Sequence, residues 1–289
     1  MKIVNILGGL GNQMFQYAFL VALRESTGIE TKYDASVFKT YPLHNGFELE
    51  RRFNIISRQA TSKEIRELTY YTRSYFWYRV FKRFPKRKTM IFEPPHSIFT
   101  PKLLEDKRDL YYYGIWQDHH YFDKYKSIIK QEFEWKEPLD EKNQRYYNDF
   151  VQGQTVSLHI RRGDYLKEWR YKGICELDYY QKAVAHVKRQ FGPQMQYAIF
   201  SNDTEWCEEN IVPLLDVSKY VNVNWNQGEE SHKDLRLMQA CRVNVIANSS
   251  FSWWAAYLNI HKDSIFISPK KWTNAEVLFE RQLPEWVKI

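Results

Sequence analysis

The sequence predicts an α/β protein of two domains built on parallel sheets, and three observations carry that prediction. From residue 155 onward, short β-branched runs alternate with stretches of helical spacing. The chain opens the same way, with an apolar strand, a glycine turn and a helix in "KIVNILG" and "NQMFQYAFLVALREST". Between these regions lies "KEPLDEKNQRYYNDFVQGQ" (136–154), a polar stretch suited to a seam. The expected division is therefore 1–150 and 151–289, with a last helix packing back on the first domain.

In the first domain, Gly8, Gly9 and Gly11 join the opening strand to its helix. Glycines there either make room for tight packing or let a phosphate or sugar approach the backbone. The turn is not a strict dinucleotide fingerprint, because Met14 stands where the third glycine belongs, and no Gly-Lys-Ser/Thr follows to make a Walker loop. Residues 35–105 are irregular and basic, and "LYYYGIW" (110–116) reads as a strand. In the second domain the series is strand "TVSLHI", helix "DYYQKAVAHVKRQF", strands "QYAIFS" and "YVNVNW", helix "KDLRLMQAC", strand "VNVIANS", helix "FSWWAAYLNI" and strand "SIFIS". Alternation of this kind builds βαβ units.

A chain of 289 residues, 44% hydrophobic and 17% aromatic, has ample material for two cores. The start "MKIVNILGG" is too short and glycine-rich for a signal peptide, and no run nears the roughly 20 apolar residues of a membrane span. A cytoplasmic, unprocessed chain is expected. Cys175, Cys207 and Cys241 are odd in number and widely spaced, which suggests buried structural thiols rather than a zinc site or disulfides. The formal net charge of +7 and a pI near 9.0 point to anionic partners: nucleic acid, acidic lipid headgroups or phosphorylated small molecules. Much of that charge lies in "RSYFWYRVFKRFPKRK" (73–88), where cations interleave with aromatics. Such a stretch either lies on an anionic membrane face or packs its aromatics on the domain.

Ligands of open parallel sheets gather at the C-terminal strand ends, so the residues just past each strand are the ones that bear on chemistry. After "TVSLHI", which contains His159, come Arg161, Arg162, Gly163 and Asp164. Two adjacent arginines suit phosphate oxygens, although one pairing with Asp164 and one solvated fits the same pattern. Asp203 follows "QYAIF", and Ser249 and Ser250 follow "VNVIA" where a helix begins. Their hydroxyls cap that helix, and beside an arginine pair the helix N-terminus makes a pyrophosphate cradle. Asp234 sits in a first helical turn, where a carboxylate either meets the helix dipole or accepts the N–H edge of guanine. No His/Asp/Glu cluster has the spacing of a metal site, so neither a cofactor nor a metal is expected.

Three motifs in this order, "GGLGNQMFQYA", "HIRRGDY" and "ANSSFSWWAAYL", resemble the inverting α-1,2-fucosyltransferases of glycosyltransferase family eleven. The resemblance implies a GT-B fold, two facing Rossmann-like domains with the nucleotide site in the C-terminal one. It implies GDP-fucose as donor, the 2-hydroxyl of a terminal galactose or similar sugar as acceptor, and no metal requirement. Carried to this chain, Arg161 would grip the β-phosphate, with Arg162 holding the motif or assisting. His159 and Asp234 would lie against the guanosine. Ser249, Ser250 and Phe251 would present amides, and Gly9, Gly11 and Asn12 would close over the donor, with Asp203 also on the donor side. Asp164 and then Glu168 are the candidate general bases.

The implied partners are a galactose-terminated oligosaccharide or a lipid-linked glycan, as in O-antigen synthesis, and not nucleic acid. Residues 73–88 would suit peripheral contact with the inner membrane face. Residues 35–115 carry no matched motif and leave the acceptor open. Phosphate-gripping residues do not read the sugar, so a GT-B transferase of another nucleotide sugar fits as well. Outside enzymes, the alternatives are a basic nucleic-acid-binding protein and a glycan-binding module without catalysis.

Overall fold

The structure, a computed structural model, describes every residue except Pro42, 71–75, 77–79, 81–86, 95–97, 216–218 and 276–279. It divides into two compact units, Met1–Glu137 with Val277–Arg281, and Pro138–Glu276 with Gln282–Ile289.

The first unit holds a four-stranded parallel sheet in the order β2-β1-β4-β3, from β1 (Lys2–Asn5), β2 (Thr31–Asp34), β3 (Met90–Phe92) and β4 (Leu110–Tyr113). All four β1 residues are buried: Ile3 and Val4 are apolar, and the buried Lys2 ammonium donates to the Tyr112 hydroxyl at 3.1 Å. Helix α1 (Leu10–Thr27) follows the glycine turn. Most of its residues are buried, and it stops at Gly28, whose φ of 68° lets its N–H cap Arg24 O. Short helices α2 (Leu49–Arg52), α3 (Ser62–Leu68) and α4 (Lys126–Glu132) complete the unit. The strand expected over 110–116 ends at Tyr113, because Trp116 takes a positive φ of 57°. That left-handed turn is held by packing: the Trp116 indole is fully buried and stacks on Phe19 at 4.1 Å between ring centroids.

The second unit begins with α5 (Glu141–Gln152), capped by Asp140, whose Oδ1 accepts the Asn143 N–H at 3.0 Å. The polar stretch 136–154 is thus mostly helix rather than linker. The units part at Glu137/Pro138 instead of 150/151, because Asn143 Nδ2 donates to Asn226 Oδ1 and ties α5 to the second unit. A six-stranded parallel sheet follows, in the order β10-β9-β8-β5-β6-β7. Its strands are β5 (Thr155–Ile160), β6 (Gln196–Ser201), β7 (Tyr220–Val223), β8 (Val243–Val245), β9 (Ile265–Ser268) and β10 (Val287–Lys288). The helices are α6 (Leu177–Phe191), α7 (Thr204–Asn210), α8 (Val212–Leu215), α9 (His232–Gln239) and α10 (Ser250–Tyr257).

The core gathers β5 and β6 with Tyr179, Tyr180, Val184 and Val187 of α6, and α10 buries Trp253, Trp254 and Tyr257. No terminal helix is found among the described residues. Val287 and Lys288 instead pair in parallel with Ile267 and Ser268, and Arg281 belongs to the first unit, where its Nε donates to Gln117 Oε1 at 3.0 Å. No helix among the described residues is long and apolar enough to cross a membrane. Of the basic stretch 73–88, only Phe76, Val80, Arg87 and Lys88 lie among the described residues.

Candidate active site

Strand order places β5 between β8 and β6, so the segments leaving these three strands are neighbours. The turn after β5 depends on Gly163, whose φ is +39° and whose added Cβ would come within 2.5 Å of Asn202 Nδ2. Asn202, just past β6, uses its Oδ1 to accept the Arg162 N–H at 3.0 Å. A side chain at 163 would displace the group that holds the turn.

The two arginines are treated very differently. Arg162 is fixed: Nε donates to Asp203 Oδ2 at 3.0 Å, and its guanidinium lies 4.0 Å over the Trp206 ring. Asp203 Oδ1 meanwhile accepts the Trp206 N–H at 3.3 Å and caps α7. Both oxygens of Asp203 are thereby occupied inside the fold, which makes it a positioning residue for Arg162. Arg161 is 36% exposed at its side chain, and its ion pair is with Asp164, 2.9 Å away and 61% exposed. An exposed pair of this kind is worth under about 1 kcal/mol, so a ligand anion readily replaces the carboxylate.

Asp164 faces Arg161 in this way, and Glu168 is gripped by Arg170, with Nε and Nη2 each donating at 3.1 Å. Those bonds hold the Glu168 carboxyl below its ordinary range. Tyr165 links the turn to the end of β8, since its hydroxyl bonds Asn248 O at 3.5 Å and also reaches Ser249. A cleft among Arg161, Arg162, Tyr165, Tyr171, Cys175 and Asn248 results. Cys175, expected to be buried, is only half-buried and lines this cleft, with its thiol pushed up to about 12 by burial. Cys207 and Cys241 are buried.

At α10, Ser249 is the N-cap and its Oγ accepts the Phe251 N–H at 3.3 Å. The Ser249 N–H donates to Ala247 O at 2.7 Å. Of the three amides expected to meet a ligand, two therefore serve the cap itself, and Ser250 supplies the third. His159 lies in β5 with its ring 6.1 Å from Phe251, and its Nδ1 has no hydrogen-bond partner among the described residues. Burial, with Arg161 adding to it, pushes this imidazole down to about 3, so it is neutral at physiological pH. Asp234 lies on a different element. It sits in the first turn of α9, where Asn226 Nδ2 donates to its Oδ1 at 2.7 Å, and burial pushes its carboxyl up to about 7.

In the first unit, the glycine turn is organised by neutral amides. Gly8 takes φ +95°, and a Cβ there would meet Asn12 Nδ2 at 2.9 Å; one on Gly9 would meet His44 at 3.2 Å. Gly11 is buried in the first turn of α1. Gln13 Nε2 donates to Gly8 O and Gly46 O, and its Oε1 accepts the Glu48 N–H. Gln16 accepts the Leu7 N–H and donates to Gly114 O. Asn12 Oδ1 accepts from Gln117 Nε2 at 2.8 Å. The sequence reading singled out Gly9, Gly11 and Asn12 and missed Gln13 and Gln16, whose signal was their i, i+3 spacing on a buried helix. It also missed Asn202, Tyr165 and Asn226, and it gave Gly163 no role. Among the described residues no group of three or more His, Cys, Asp or Glu is placed to hold a metal ion.

The profile of glycosyl transferase family 11 matches residues 1–289. The chain is 30% identical to an α-1,2-colitosyltransferase of Escherichia coli, over 99% of this chain and 98% of that one. It is 31% identical to the O-antigen biosynthesis glycosyltransferase WbnK of the same species, over 98% of each. Galactoside α-(1,2)-fucosyltransferase 1 of Ateles belzebuth is 30% identical, over 58% of this chain and 49% of that one. The fold is similar to that of NodZ, an α-1,6-fucosyltransferase solved after soaking with GDP-fucose, with a TM-score of 0.54 at 14% identity over 89% of this chain and 92% of that one. Two α/β units on parallel sheets and this likeness make the architecture GT-B-like. On the evidence of motifs, fold and full-length relatives, the chain belongs to glycosyl transferase family 11 and is a glycosyltransferase related to α-1,2-fucosyl- and colitosyltransferases.

Proposed function

We propose that the chain transfers L-fucose from GDP-fucose to the 2-hydroxyl of a terminal galactose or similar sugar, with inversion and without a metal, forming an α-1,2 linkage. The observation that carries this reading is the half-exposed Arg161 beside a serine-capped helix start, on neighbouring strands of one parallel sheet. Departure of GDP leaves an oxocarbenium-like carbon and a growing negative charge on the β-phosphate. Arg161 and the Ser250 amide bind that charge more strongly as it develops, which lowers the barrier. Arg162, locked to Asp203, shapes the turn that aims Arg161. Inversion follows when the acceptor oxygen attacks the face opposite the departing phosphate. The second unit would hold the donor and the first the acceptor. Peripheral attachment to an anionic membrane through 73–88 is part of the same reading, and flotation with anionic vesicles tests it; absence from the vesicle fraction removes it.

A second donor has specific support, because the relative matched over 99% of this chain is a colitosyltransferase. Colitose is L-fucose without its 3-hydroxyl, and a phosphate clamp treats the two donors alike. The test is GDP release in EDTA with lactose as acceptor, comparing GDP-fucose with GDP-colitose and the native protein with Arg161→Ala. Turnover with GDP-fucose that collapses in the variant is expected. A strong preference for GDP-colitose reassigns the donor, and no response to any GDP compound overturns the reading.

A further inference from the structure

The transfer needs a base for the acceptor hydroxyl, and both carboxylates expected to serve, Asp164 and Glu168, are held by arginines. The Arg170 contact makes the Glu168 carboxylate a poorer proton acceptor, and Asp164 is exposed, with no contact among the described residues that fixes it in place once an anion takes Arg161. Elsewhere, at the C-terminal end of β4, a different pair meets the requirement. Asp118 is buried, 1% exposed, and its Oδ1 lies 2.7 Å from Nδ1 of His120, whose side chain is 53% exposed. The same Oδ1 accepts the His120 backbone N–H at 3.0 Å, so backbone and side chain are fixed together.

The loop carrying this pair is anchored on both sides. Trp116 is buried in its left-handed turn, and Gln117 bonds Asn12 of the glycine turn and Arg281. The His120 ring stacks on His119 at 4.2 Å and lies 5.6 Å from Phe99. Only an N–H can face a carboxylate at 2.7 Å, so Nδ1 carries the proton and Nε2 presents its lone pair. Parallel α/β sheets gather ligands at this end of their strands.

We propose that His120 is the general base of the transfer, with Asp118 as its positioning residue; this rests on the reading of transfer to a sugar hydroxyl given above. As the acceptor oxygen bonds to the anomeric carbon, the bond from that carbon to the phosphate oxygen breaks, and its electron pair leaves with GDP. The hydroxyl proton passes to His120 Nε2, and the imidazolium formed is stabilised by the Asp118 carboxylate. Among the described residues, the titratable groups facing His120 include Asp118, the His119 ring and, through His119, Asp123 at 3.9 Å from His119 Nδ1. A base in this position acts with Nε2 unprotonated.

The test measures transfer from GDP-fucose and GDP-colitose to lactose across pH, together with the thermal shift caused by GDP, in the native protein, His120→Gln, His120→Ala and Asp118→Asn. His120→Gln is expected to lower kcat/KM by about 10²-fold or more, to keep the GDP thermal shift and to lose the acid limb of the pH profile. Added imidazole should restore part of the rate in His120→Ala, and Asp118→Asn should show a smaller loss with a displaced acid limb. An active native protein with transfer by His120→Gln within about threefold of it overturns the dyad alone. A native protein that transfers from neither donor overturns the functional reading, and the role of His120 falls with it.

Discussion

The two units place a turn and a helix at the end of a central parallel strand, yet they furnish that position with opposite chemistry. After β5 the turn holds full charges: Arg161 and Arg162 with Asp164 and Asp203 around them. After β1 it holds neutral amides: Asn12, Gln13, Gln16 and, from the β4 loop, Gln117. One end exposes a cation, and the other holds its backbone shape with uncharged side chains. Topology decides where ligands gather, and side chains decide which ligands those are.

The largest effect that would sharpen this contrast is expected at the charged end. Arg161→Ala should reduce transfer on the order of 10²-fold or more, with little change in thermal stability, because its ion pair with Asp164 is exposed. A variant that unfolds instead would mean Arg161 serves the fold, and the contrast between the arginines would break. Next comes the neutral end. Gln13→Ala leaves Gly8 O, Gly46 O and the Glu48 N–H without their side-chain partner, and should cost about 2 kcal/mol of stability. Chemical denaturation reads this; an unchanged midpoint would show that the turn does not depend on its amide brace.

A smaller effect concerns Asp234. Burial raises its carboxyl to about 7 in the folded chain, against an ordinary value near 3.9 in the unfolded one. Below about 4 both states are protonated. As pH rises from there to about 7, only the unfolded chain ionises, so stability falls across that window and then levels. Guanine N–H donors require the carboxylate, so GDP affinity should weaken by up to about tenfold per pH unit below 7. Calorimetric titration of GDP at several pH values checks this, and a flat profile in the native protein removes Asp234 from the guanine site. The smallest effect is expected for Asp164→Asn, which should alter stability by less than about 1 kcal/mol. It should also reduce transfer far less than His120→Gln; equal losses in steady-state rates would return the base to Asp164.

Much of the second unit was legible because its strands are short β-branched runs separated by stretches of helical spacing, and β5 is buried at all six positions. The serine cap and the arginine pair follow their strands within a few residues, so sequence order alone put them at the sheet's edge. The domain seam was misplaced because α5 is short of apolar residues. Its attachment runs through Asn143 and Asn226, which no hydrophobic period reveals. The strand over 110–116 was overextended because nothing local in "GIW" announces a left-handed tryptophan. That conformation is imposed by stacking on Phe19, a residue roughly a hundred positions away in sequence.

The sequence by itself determined the α/β class, the family and the segments where charge meets a strand end, because each rests on short-range periodicity or on motifs contiguous in the chain. Only the tertiary structure decided which arginine is locked and which is available, that Asp203 serves the fold, and that Asp118 and His120 form a fixed pair at the neutral end. These are matters of who neutralises whom, and electrostatic partnership depends on distances through space that linear order does not contain.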